Sequence, residues 1–333
     1  MAIKNFIGPS RRKFLARAIK ATLGFGLLIA FLKRKDLMAE SKKLYKIYSP
    51  REKHWVGDGF YVSTMFSMHD NENHYLSPFI LLDHAAPMEF APTDKKLGVG
   101  EHPHRGFETV TFAIQGKIDH RDSGGGGGTI SSGGVQWMTA GSGVVHEEFH
   151  SKDFSQKGGV FEMVQLWVNL PAKDKMTTPR YQSMNKEDFP SLKLNEGKTE
   201  LKIIAGEYHG KSGPALTHTP MNIFEVFHKS EGRLDLNFNE QTNTIIVQLK
   251  GNSKLADKTI KEGEIAVFER DGEQIQLNLD SDSHLLVLNG EPIDEPVAAY
   301  GPFVMNTRDE IRQAIDDFNA GKMGRLVEEA IKN

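Results

Sequence analysis

Gly100-Glu101-His102-Pro103-His104-Arg105-Gly106-Phe107-Glu108-Thr109-Val110-Thr111-Phe112-Ala113-Ile114-Gln115-Gly116 is the stretch that decides the fold. It opens on a His-x-His pair. A β-branched and aromatic run follows and ends on Gln-Gly, the pattern of a strand closing into a hairpin. Val135 to His150 repeats the theme. There Gln136-Trp137-Met138 leads through the turn Gly141-Ser142-Gly143 to Val144-Val145-His146-Glu147-Glu148. Side chains two apart on a strand point to the same face. His102 with His104, and His146 with Glu148, therefore each present two donors together. If the two strands share a sheet or barrel, four donors converge on one point. Three imidazoles and a carboxylate without thiolate suit iron, copper, nickel, manganese or zinc. Open coordination positions would make such an ion catalytic rather than structural.

A lone His-x-His pair on a strand is ordinarily just solvated, and the chain has 13 histidines. The second pair, after a glycine turn in another apolar run, makes the metal reading the stronger one. The nearby carboxylates can be sorted by phase. Glu101 and Glu147 are out of step with the histidines beside them. Glu108 is in step, and stays open as a rival fourth ligand or a partner behind the ligands.

The chain has 333 residues, enough for two domains. Its 38% hydrophobic and 26% charged content is that of a soluble globular protein once the N-terminus is set aside. A net charge of −3 gives no electrostatic case for nucleic acid. The absence of cysteine excludes disulfides, thiolate zinc sites, iron–sulfur clusters and cysteine nucleophiles.

Residues 1–40 read as a targeting segment. Ser10-Arg11-Arg12-Lys13-Phe14-Leu15 precedes an apolar stretch over residues 18–32, as in a twin-arginine export signal, with an uncleaved membrane anchor as the alternative. The expected location is thus outside the cytoplasm or at the membrane. Short strands with glycine turns then fill residues 45–175, a first all-β domain. Gly124 to Gly128 lacks the Lys-Ser/Thr of a phosphate loop and reads as a flexible hairpin tip. Residues 171–200 read as a polar connection. A second all-β domain without a metal site spans residues 195–325. Thr307 and Glu310 form a capping-box pattern before a helix that Gly321 stops, and Val327, Ala330 and Ile331 suggest a second short helix. The fold class is all-β: two tandem β-sandwich or barrel domains with short C-terminal helices.

HPHRGFETV, VQWMTAGSGVVHEE, LWVNLPAKDKMTTPRYQ and YGPFVMNTRDEI, four motifs in order, closely resemble the pirin family of the cupin superfamily. The resemblance covers roughly residues 45 to 323. It implies two cupin-like domains facing each other, with one divalent metal in the first, held by His102, His104, His146 and Glu148. Iron(II) is the ion implied first. It also implies a dioxygenase that cleaves quercetin-like flavonols or related phenols with O2. Glu148 would serve as ligand and, swinging free, as the base that takes a substrate hydroxyl proton, and a monomer is expected. The competing expectation is a metal-binding protein that senses redox state or docks a partner without catalysis.

Overall fold

Strands such as Ile245-Ile246-Val247 read as unbroken apolar runs because both of their faces are covered. Ile245 and Val247 belong to one core cluster and Ile246 to another. Alternation does the sorting, since neighbouring residues on a strand face opposite ways. The computed structural model describes residues 40–70 and 73–326.

Two sandwiches are built to the same plan, each pairing a seven-stranded sheet with a four-stranded one. In the first lobe the large sheet runs Arg180–Met184, Gly134–Thr139, Phe107–Gln115, Gly159–Asn169, Phe79–Phe90, Phe60–Ser67 and His54–Val56. Its small sheet runs Gly98–His104, Val144–His150, Lys117–Asp122 and Gly127–Ser131. All pairings in both sheets are antiparallel. The second lobe repeats this with Asn243–Lys250, Ser283–Gly290 and Met221–His228 at the centre of its large sheet. The two large sheets meet in one core, where Val110, Phe112, Trp137, Val164 and Leu166 pack with Ile223, Ile245, Val247 and Leu286. Each such side chain taken fully out of water contributes on the order of 1.5–3 kcal/mol.

The two ends of the described part of the chain cross between lobes. Leu44–Tyr48, at the start of the 45–175 segment, pairs with Ile265–Phe268 and so extends the second lobe's sheet. The far end returns to the first lobe: Phe303, Met305, Ile311, Ala314 and Met323 pack with Val145. Helix Arg308–Asn319 begins with the expected capping box between Thr307 and Glu310. The segment 171–200 is not a bare connection. Arg180–Met184 closes the first lobe's large sheet and Ser191–Leu194 the second's. Both are short edge strands with only one neighbour, so no clean alternation marks them. Among the described residues no helix is long and apolar enough to cross a membrane. The proposed signal or anchor over 1–40, all but its last residue, with its apolar stretch 18–32, and the second helix at Val327, Ala330 and Ile331 lie outside the described residues.

Candidate metal centre

Strand Val144–His150 sits between Gly98–His104 and Lys117–Asp122, and this placement makes the site. In register, His146 faces His102 on one side and Asp122 on the other, while Glu148 faces His120. All of these lie on the sheet face that looks into the sandwich. Glu147, one residue out of phase, turns outward and pairs with Arg121 and Lys96. Phe149 turns the same way, under the Lys96 ammonium.

The structure brings His102, His104 and His146 together as one group of mutually close donors. Their ring centroids are 4.2 to 4.9 Å apart. His102 donates from Nδ1 to the Gly100 carbonyl at 2.8 Å, which leaves Nε2 free. The Nε2 of His146 is buried and has no hydrogen-bond partner. A bare imidazole nitrogen in such a place costs free energy unless something occupies it. Burial pushes His104 and His146 well below the usual imidazole value, and the neighbouring rings add to the effect. Both are therefore neutral, the state that binds a metal. These residues fit a divalent ion.

Glu148 sits one step deeper. It forms a second close group with His146 and His120, and no one group holds all four sequence-predicted donors. Gln165 donates to its Oε2 at 3.0 Å, and Gln136 to its Oε1 at 3.0 Å. The Thr111 hydroxyl lies 3.1 Å from Oε1, but also 2.5 Å from Gln165 Oε1. One proton cannot serve both acceptors, and the shorter bond takes it.

Glu108, in phase by simple counting from His102, belongs to neither group. Between them Gly106 adopts φ +87° and resets the count. Glu108 then shares the face of Val110 and Phe112, which look toward the second lobe. It accepts from the Thr139 hydroxyl at 2.6 Å. Burial drives its carboxyl up to about 7, against the lowering effect of Thr139 and Trp137. Phe107, on the opposite face, meets His104 edge-on at 5.0 Å, and Trp167 does so at 5.3 Å. Phe112 and Trp137 are core between the lobes, and Met138 belongs to a small cluster with Ala140 and Val144.

His120 was missed by the sequence reading. The signal was there: His120-x-Asp122 is a third in-phase pair, on the return strand just before the glycines. The C-terminal segment also reaches the centre. Arg105, beside His104, receives Val304 N–H on its carbonyl at 3.1 Å and donates to Asp317 from its guanidinium at 2.8 Å. Lys175, buried, donates to Gly106, Asn169 and Val304, tying the hairpin Ala298–Tyr300/Phe303–Met305 to the loop after His104.

The family model described as Pirin matches residues 60–168, and the one described as the pirin C-terminal cupin domain matches residues 223–324. The chain belongs to the pirin family. A Pseudomonas aeruginosa relative, provisionally named a quercetin 2,3-dioxygenase, is 48% identical over 85% of this chain and 99% of its own length. A pirin-like protein of Solanum lycopersicum is 38% identical, over 80% of this chain and 88% of its own. Among solved structures, a quercetin 2,3-dioxygenase from Acinetobacter baumannii is 49% identical with a TM-score of 0.83. It covers 86% of this chain and 100% of its own. In this pirin the second lobe holds no metal-capable group among the described residues. Its small sheet carries Leu234, Leu236, Ile275, Leu277 and Leu279 inward.

Proposed function

We propose that this pirin is a metal-dependent dioxygenase that opens quercetin-like flavonols with O2. The ion would be held by His102, His104, His146 and Glu148, with iron(II) the first choice and copper, nickel, manganese or zinc the alternatives. The observation that carries the reading is the buried, unpartnered Nε2 of His146 within a cluster of close-packed imidazoles. The 49% identity to a solved quercetin 2,3-dioxygenase supports it. When bound, the metal would supply a Lewis acid that favours ionised substrate hydroxyl, with open positions for substrate and oxygen.

The remaining work falls to the chain itself. His102 is the partly exposed member of the cluster and marks the open side, while His104 and His146 are buried. Trp167, half-buried beside His104, gives the site an apolar edge suited to a flat aromatic guest. Glu148 Oε1 would accept the hydroxyl proton. Thr111 can release that oxygen without going unpaired, because Gln165 already takes its proton. The test is oxygen uptake and loss of quercetin absorbance with metal-loaded protein. Consumption of one O2 per quercetin is expected. Bound metal with quercetin left intact would refute the activity on that substrate and favour a non-catalytic metal-binding role.

A further inference from the structure

The glycine run Gly124–Gly128, a flexible tip by its sequence, is a built cradle. Asp122 Oδ1 accepts the backbone N–H of Gly124 at 2.8 Å and of Gly126 at 3.0 Å. A Cβ on Gly126 would lie 2.4 Å from both Asp122 Oδ2 and Tyr181 Cβ, so a side chain has no room there. Gly127 and Gly128 continue as strand, paired with Arg121 and His120.

We propose that this cradle, acting through Asp122 and His120, fixes which nitrogen of His146 is offered to the metal centre. His120 and Asp122 are thereby positioning residues. The inference rests on the metal-centre reading above and deepens it.

The proton positions follow one from another. Asp122 Oδ2 lies 3.2 Å from His120 Nε2, and a carboxylate only accepts, so the proton sits on Nε2. His120 Nδ1 is then a bare acceptor. The Gln136 amide donates to it at 3.0 Å, and His146 Nδ1 stands 3.4 Å away. Two lone pairs facing each other in a buried site would repel, so His146 carries its proton on Nδ1. Its Nε2 is left bare, and this is the atom found buried without a partner. A carboxylate–histidine pair thus stands behind a ligand histidine, one imidazole further out than in the usual arrangement.

The rest of the shell holds the relay in place. Tyr181 stacks on His120 at 4.9 Å with the planes 13° apart. Its hydroxyl donates to Gln136 Oε1 at 3.2 Å. That orients the amide so that Nε2 serves His120 and Glu148 together. A surface loop is in this way connected to two of the proposed ligands.

The experiment uses the full chain and cobalt(II) as probe, read by chelator competition and by the visible spectrum of the bound ion. His120→Leu is expected to weaken cobalt binding roughly 10–100-fold and to shift the visible bands. His120→Asn, whose carboxamide oxygen can stand in for Nδ1, recovers most of the affinity. Gly126→Ala moves in the same direction as His120→Leu. Melting of the metal-free proteins guards against misfolding, because the Leu and Asn variants should melt alike. The proposal is overturned if His120→Leu keeps the parent's affinity and spectrum, or if Asn does no better than Leu. A parent protein that binds no cobalt, or a His102→Ala/His104→Ala variant that still binds it, would instead sink the metal-centre reading, and this proposal with it.

Discussion

Replacing Glu108 by Gln separates the two ligand sets that a histidine-rich motif of this kind permits. Glu108 is completely buried on the face toward the second lobe, and burial drives its carboxyl from 4.5 up to about 7. In the unfolded chain it ionises near 4.5. Below that value both states are protonated and the group costs nothing. Between 4.5 and 7 the folded state holds a proton that the unfolded state releases, so stability falls as pH rises, and above 7 the loss is complete. At 1.36 kcal/mol per pH unit, the gap amounts to about 3 kcal/mol. Gln mimics the protonated acid and still accepts from Thr139 through its carbonyl oxygen. The variant should match the parent at pH 4 and exceed it by about 3 kcal/mol at pH 8, a melting difference of roughly 6 °C. Denaturant melts of both proteins across this range would show it, since every other titrating group is common to the two. Metal content should not change. A stability difference that stays flat with pH would refute the burial argument, and loss of metal would restore Glu108 to the ligand set.

The other expectations are direct. His102→Ala/His104→Ala should abolish metal content by elemental analysis while the second lobe, apolar where the first carries its histidines, stays folded by circular dichroism. Glu148→Gln should lower metal affinity at least about tenfold. Glu147→Gln should leave metal content untouched, because that side chain turns away from the histidines to Lys96 and Arg121. Gly106→Ala should lower the melting point and the metal content together. Its new Cβ would fall 2.0 Å from the Val304 carbonyl, and φ +87° adds about 1–2 kcal/mol of backbone strain. A Gly106→Ala protein with the parent's melting point would show that the hairpin yields freely.

Much of this architecture is legible in the residues. The turn Gly57-Asp58-Gly59 and the capping box at Thr307 rest on local chemistry, and both are found where the pattern puts them. Gln115-Gly116 turns the chain but closes no hairpin: Phe107–Gln115 lies in the first lobe's large sheet and Lys117–Asp122 in its small one, so the chain crosses between sheets there. The three histidines converge because phase within one strand is a local property. Phase across a turn is not. Counting from His102 to Glu108 passes through Gly106, whose positive φ reverses which face follows. His120 escaped because, apart from Asp122 two residues on, its partners come from other strands: Tyr181 from beyond residue 179, and His146 alongside. Long-range pairing also hides the crossing of the ends. Nothing in Leu44–Tyr48 says that its neighbour lies near residue 266.

That crossing bears on how the protein is made. The first strand must wait for a partner synthesised more than two hundred residues later, and the loop beside His104 waits for the hairpin at Phe303–Met305. Neither half can reach its final form while still emerging from the ribosome. The histidine centre is accordingly completed only once residues 303–323 have been made, and severing the chain near residue 186 should leave the second lobe without its edge strand Leu44–Tyr48 and the first without the C-terminal segment packed on Val145.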